Sequence, residues 1–128
     1  MEHSHSHDNL MKEAKAHLKK LFDNSQQSMY LFLDDSNKIC NENFAKLLGY
    51  KSSEEWSNVK DSFTHAFVDE NSQEKLVSAY QDAMENLVGS EVSVEWKTKS
   101  EGKVKTKVIL VPFFFSDHLF ALHFISEM

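Results

Sequence analysis

The feature that most constrains this chain is a pair of unbroken apolar triplets near its end, Ile109-Leu110-Val111 and Phe113-Phe114-Phe115. Successive strand residues point to opposite faces of a sheet, so each triplet puts large apolar side chains on both faces. One face can line the interior. The other also needs a cover, because an open apolar face of that size is an interaction site. The chain offers one. Leu10, Ala14, Leu18, Leu21 and Phe22 recur at helical spacing on one stripe, while Lys12, Lys15, Lys19 and Lys20 take the remainder. The expected architecture is therefore a sheet covered on its outer face by this amphipathic helix, supplied by the same chain or by a second copy. A second copy would make a homodimer with Leu10, Ala14, Leu18, Leu21, Phe22, Ile109, Val111 and Phe113 at its interface.

A chain of 128 residues supports one such core. Ten Phe and two Trp against one Pro and three Gly fit a filled interior. No apolar run approaches the roughly 20 residues that cross a bilayer. The polar, His-rich start lacks the basic-then-apolar order of a secretory signal. A single cysteine, Cys40, rules out an internal disulfide and fits a reducing compartment. A cytoplasmic setting without membrane contact is expected. The net charge of −6 opposes a phosphate backbone, so no nucleic-acid partner is expected either.

Along the chain, residues 1–9 read as a flexible polar tail. Its His3, His5 and His7 could chelate a divalent ion, but a purification aid has the same composition, and no metal site is expected. Residues 10–24 read as a cap helix and residues 25–128 as one folded domain. Residues 28–33 predict a buried strand, 34–37 a polar turn and 38–41 a second strand. Residues 42–48 predict a helix stopped by Gly49, and Ser52 or Ser53 caps another short one through Trp56. Residues 62–68 fit a single helical turn. Residues 71–87 carry the longest helical signal, with Leu76, Ala79, Tyr80, Ala83, Met84 and Leu87 on one face and Gly89 ending it. Three strands follow, at 91–98, 103–115 and 118–125. Grouped helices between antiparallel strands indicate an α+β fold.

The register of the 91–107 hairpin can be argued from its faces. A three-residue loop at Ser100-Glu101-Gly102, with Gly102 left-handed, sets Lys99 opposite Lys103 and Trp96 opposite Thr106. It also sets Lys97 opposite Lys105 and Glu95 opposite Lys107. Every apolar position then lands on one face, whereas a two-residue loop mixes the faces. Lys97, Lys99, Lys103, Lys105 and Lys107 become a solvent-side ladder, explained by solvation and protection of an edge ahead of an anionic partner.

Several stretches resemble the PAS (Per-Arnt-Sim) family of sensory and interaction domains. Ile39-Cys40-Asn41-Glu42-Asn43-Phe44-Ala45-Lys46-Leu47-Leu48-Gly49-Tyr50 is similar to its Asn-x-x-Phe-x-x-x-x-Gly-Tyr core motif, and Ser52-Ser53-Glu54-Glu55 to the segment that follows. Residues 83–96, Gly102 and the ending Phe124-Ile125-Ser126-Glu127 resemble later parts in the right order. Phe124 replaces the family's Asp, and the loop 67–71 lacks its common proline. The resemblance covers roughly residues 22–127 and implies a five-stranded antiparallel sheet with helices on one face. Relatives continue beyond this point into an output helix or kinase, so an output through a signalling partner protein is expected unless the chain is an excised domain.

Relatives hold haem, flavin, metabolites, metal ions or nothing between sheet and helices. An axial haem His comes from the long helix, and residues 71–87 contain none. Cys40 lies on a strand, outside the flavin-type Asn-Cys-Arg-Phe-Leu motif, and reads as a structural thiol. No cofactor is identified. Facing nominates Tyr30, Phe32, Phe44, Leu48, Phe67, Leu76, Tyr80, Trp96 and Leu122 as pocket residues, unless they fill a dry core. His65, His118 and His123 read as satisfied core or surface residues rather than ligands.

The implied function is a signalling domain that senses a small molecule and homodimerises. The alternative is a protein–protein docking module with a filled core. A small cone-fold enzyme is a distant third, since no Gly-x-Ser-x-Gly, phosphate-cradling loop or His-Glu-x-x-His occurs and the Asp34-Asp35 pair sits in a turn. No enzyme activity and no catalytic residues are expected.

Overall fold

Strand alternation sorts the chain into two layers around one sheet. The computed structural model describes residues 3–128, with side chains from Asn9 onward. Of the expected polar tail over residues 1–9, the His3-x-His5-x-His7 set lies outside the described side chains. An N-terminal helix α1 (His3–Asn24) is followed by β1 (Ser28–Asp34), β2 (Asn37–Cys40), α2 (Glu42–Leu47), α3 (Ser53–Ser57) and α4 (Phe63–Phe67). The long helix α5 (Glu70–Asn86) then leads into β3 (Ser90–Lys97), β4 (Lys103–Phe115) and β5 (His118–Glu127). All pairings are antiparallel, in the order β2-β1-β5-β4-β3.

Helix starts are fixed by side chains that take up free backbone N–H groups. Asn41 Oδ1 accepts from Phe44 N and from Met29 N, each at 3.1 Å, so one residue caps α2 and anchors the start of β1. Ser52 caps α3 through Glu55 N at 3.1 Å, and Asp69 caps α5 through Asn71 N at 3.2 Å. Helix α5 ends earlier than Gly89. Leu87 takes the left-handed conformation there (φ 56°) and is 54% exposed, off the buried face expected for it.

The outer sheet face is covered by the chain's own α1. Leu10, Met11, Ala14, Leu18 and Phe22 are buried against Met29, Leu31, Ile39, Phe120 and Leu122. Leu21, one residue off that stripe, is 46% exposed. Helices α2 to α5 take the inner face, where Tyr30, Phe44, Trp56, Phe63, Phe67 and Trp96 form a continuous aromatic cluster.

The β3–β4 hairpin has a longer loop than expected. Lys97 pairs with Lys103, Trp96 with Val104, Glu95 with Lys105 and Val94 with Thr106. The shift is by two residues, which preserves the faces, so facing alone could not detect it. The side chain of Thr98 accounts for the difference. Its Oγ1 accepts from Gly102 N at 2.8 Å while its carbonyl accepts from Glu101 N at 3.0 Å, and Glu101 rather than Gly102 is left-handed (φ 70°). Lys99 thereby leaves the ladder. Its N–H meets the Leu48 carbonyl at 2.7 Å and its ammonium meets Glu55 at 2.5 Å. The ladder is broken further by Lys103, which pairs with Asp69 at 2.9 Å.

Burial on α1 makes a sharp contrast. Leu18→Ala is expected to lose about 2–4 kcal/mol of folding stability, and Leu21→Ala less than about 0.5 kcal/mol. Urea unfolding of both variants checks this, and equal losses would contradict the seat of α1 on the sheet.

Candidate functional site

Strand alternation places Tyr30 and Phe32 of β1 on the inner face, and pairing sets His123 of β5 directly beside Tyr30. Phe63 of α4 and the buried stripe of α5, through Leu76 and Tyr80, close over them. The result is a cleft of about 260 Å³. Its floor is aromatic and aliphatic, and the exposed residues Asp35, Ser62 and Gln81 edge it.

At the floor, the Tyr30 and His123 rings stack, 3.8 Å between centroids and 13° from parallel. Tyr30 is 1% exposed, and its hydroxyl has no hydrogen-bond partner among the described residues. Burial pushes its pKa well up, so it is a neutral phenol. His123 is 2% exposed, and its Nδ1 lies 3.2 Å from the Ala121 carbonyl. Burial lowers its pKa from 6.5 to about 3, against the opposing pull of the Ala121 and Tyr30 carbonyls. The half-buried phenol of Tyr80 is likewise shifted up by burial. The floor is thus uncharged at neutral pH.

A stitched turn forms one wall. The Asp35 carboxylate accepts from Phe63 N at 3.0 Å, and Lys60 reaches the Ser36 carbonyl at 3.0 Å. Lys38 is 3% exposed, yet among the described residues its ammonium is held by carbonyls alone, of Val59 at 2.5 Å, Asp35 at 2.8 Å and Ser57 at 3.5 Å. It also lies 5.5 Å from the Trp56 ring centroid and 5.8 Å from that of Phe67. Burial, then the nearby Lys60, lowers its pKa to about 8, partly offset by Asp35 and Asp34. This lysine ties the β1–β2 turn to the segment running into α4.

Four expected pocket residues, Tyr30, Phe32, Leu76 and Tyr80, line the cleft. Phe44, Leu48, Phe67 and Trp96 belong to the same inner cluster but fill the core around it. Leu122 does not join them, because it faces α1 on the outer side. The strand carries two alternating triplets, Phe120/Leu122/Phe124 and Ala121/His123/Ile125. The bulkier one lies under α1, and the smaller leaves room for the aromatic cluster. Of the expected interface residues, Leu10, Ala14, Leu18 and Phe22 are buried within the chain, Val111 and Phe113 are half-buried, and Leu21 and Ile109 are exposed. His123 and Lys38 were not nominated from sequence. Lys38 had a signal, since it alternates with Cys40 about Ile39; His123 had none, both triplets being apolar enough to face inward.

Among the described residues no group of three or more His, Cys, Asp or Glu could hold a metal ion, and no helix is long and apolar enough to cross a membrane. Cys40 is buried, and burial raises its pKa, the direction that suppresses thiolate chemistry.

The buried imidazole links stability to pH. The unfolded chain takes up a proton on His123 near 6.5, whereas the folded chain does so only near 3. Between those values the unfolded state binds more protons, so stability is lost as pH falls, by at most about 1.4 kcal/mol per pH unit from this group. Urea unfolding across this window should show a shallower loss for His123→Phe than for the wild type. Parallel curves would contradict the neutral buried imidazole.

No family model and no curated protein matches the sequence. Solved structures do. A PAS domain from Colwellia psychrerythraea has a TM-score of 0.69 at 17% identity, covering 88% of this chain and 95% of that one. The PAS domain of an HTR-like protein from Haloarcula marismortui has a TM-score of 0.64 at 16% identity, covering 94% and 97%. The PAS-B domain of Drosophila melanogaster Cycle with bound ethylene glycol has a TM-score of 0.64 at 8% identity, covering 79% and 99%. At these identities the likeness is one of fold: the chain adopts the PAS fold.

Proposed function

We propose that this PAS-fold chain is a sensory module whose cleft between β1, α4 and α5 takes a small uncharged molecule. The observation that carries the proposal is Tyr30, which lines the cleft and whose buried hydroxyl has no partner among the described residues. A buried hydroxyl without a partner costs about 1–3 kcal/mol. An occupant that hydrogen-bonds to it recovers that loss. The cleft, at about 260 Å³, falls just below the roughly 300–1,000 Å³ of drug-sized sites, so the occupant is small. Its uncharged floor disfavours an ion. The Cycle PAS-B domain, of the same fold, is described with a small diol bound.

Occupancy becomes a signal only if the ligand binds one arrangement of the protein better than another. The cleft wall supplies an element to bias. The β1–β2 turn and the segment into α4 are joined through Lys38, Lys60 and Asp35, of which Asp35 lines the cleft. A second, compatible role is homodimerisation or partner docking through Leu21 and Ile109, which stay exposed beside the covered outer face.

Tyr30→Phe separates the cleft from a dry core. In protein refolded without small molecules the variant is expected to be more stable than the wild type by about 1 kcal/mol, because it removes an unsatisfied group. Titration of small uncharged fragments, followed by amide NMR shifts, should report on the cleft residues in the wild type and bind more weakly in the variant. A destabilised variant, or fragments that shift nothing around Tyr30, would contradict the proposal.

A further inference from the structure

We infer that the cleft selects uncharged molecules that carry a hydrogen-bond donor, and that Nε2 of His123 is the acceptor that reads it. The inference rests on the proposed ligand-binding role and adds the chemical class of the ligand. Its basis is the tautomer. A carbonyl oxygen can only accept, so the Ala121 carbonyl at 3.2 Å requires the hydrogen of His123 to sit on Nδ1. The other nitrogen, Nε2, then carries a lone pair. His123 is among the residues that line the cleft, and its ring is held in place by stacking on Tyr30 at 3.8 Å. The sheet holds that geometry, because His123 and Tyr30 are paired residues of adjacent strands.

The rest of the floor is less discriminating; at the edge the Asp35 carboxylate also only accepts, but it is exposed to solvent and already takes the Phe63 N–H. The hydroxyls of Tyr30 and Tyr80 each donate and accept, so they suit a carbonyl, an ether or an alcohol alike. Phe32, Phe63 and Leu76 supply apolar contact only. A fixed acceptor is different, because a molecule without a donor leaves the lone pair desolvated and unmet. That penalty of about 1–3 kcal/mol corresponds to at least a several-fold preference for the donor-bearing molecule. Sites built around a hydrogen bond reject the analogue that lacks it more strongly than apolar pockets reject a change of size. The ligand class is therefore a small neutral alcohol, phenol or N–H heterocycle with an apolar body.

Phenol and anisole test this, since they share an aromatic body and an oxygen and differ in the donor. Kd values are measured by NMR titration on the wild type, His123→Phe and Tyr30→Phe. The expected result is phenol tighter than anisole by about tenfold in the wild type. His123→Phe keeps a ring against Tyr30 and should bring the two probes to similar affinity, while Tyr30→Phe should weaken both and keep the preference. In wild-type protein labelled with ¹⁵N in histidine, the His123 Nε2 resonance should move with phenol and not with anisole, a readout independent of how well the variants fold. Equal binding of the two probes to the wild type, or a phenol preference that survives His123→Phe, overturns the assignment of His123 and leaves the cleft as a binding site. Binding of neither probe at millimolar concentration overturns the cleft proposal itself, and this inference with it.

Discussion

The sheet carries large apolar side chains on both faces of β1, β4 and β5, and every other layer of the molecule answers to that requirement. Helix α1 covers Met29, Leu31, Phe120 and Leu122 on one side, and α2 to α5 cover Tyr30, Val108, Leu110 and Ile125 on the other. Once α1 is seated, the parity of each strand is no longer free. A one-residue slip of β5 would exchange Phe120 and Leu122 for Ala121 and His123, moving two bulky side chains into a filled aromatic cluster and a polar ring under α1. Covering the outer face is thus what delivers His123 to the inner one. The cleft is a consequence of how the sheet is closed.

Beside the Trp56 indole N–H, which also has no hydrogen-bond partner among the described residues, the apolar interior carries three polar groups whose placement is unusual. Lys38 is buried among carbonyls, His123 is neutral and bonded to a carbonyl, and the Tyr30 hydroxyl has no partner among the described residues. The first two are held by hydrogen bonds that rigidify their surroundings: one ties a turn to the approach to α4, the other fixes an imidazole through Nδ1. The third is not satisfied, and Tyr30 is among the residues that line the cleft. Groups that work against folding are concentrated at sites that do something else, and Tyr30, unlike Trp56, lines the cleft.

Much of the fold was legible in the sequence, because its signals were local. The left-handed Gly49 (φ 87°) and the Ser52 cap mark α2 and α3 where the sequence puts them, β4 spans the expected residues, and Asn41 caps α2 instead of ending β2. Of the residues nominated by facing, Tyr30, Phe32, Leu76 and Tyr80 are among the eleven that line the cleft, and they sit on strongly patterned elements. What was not legible was set by long-range choices. The hairpin register shifted by an even number of residues, which leaves the facing pattern unchanged, and the deciding contacts came from the Thr98 side chain and from Leu48. The parity of β5 was ambiguous because both its triplets are apolar, and only the seating of α1 resolves it. Lys38 was missed because a lysine in a strand reads as solvent-facing unless its alternation with Cys40 is taken at face value.

The central claim is that the inner face of this PAS fold is a binding site for a small neutral molecule. Native mass spectrometry of the untagged protein, followed by denaturation to release whatever it carried, tests that claim most directly. The account predicts a near-stoichiometric uncharged molecule bearing a hydrogen-bond donor, lost when Tyr30 is replaced by Phe. A protein that carries nothing from the cell, and whose mass is unchanged after exposure to small alcohols, phenols and N–H heterocycles, would contradict it and leave the inner face as a core alone.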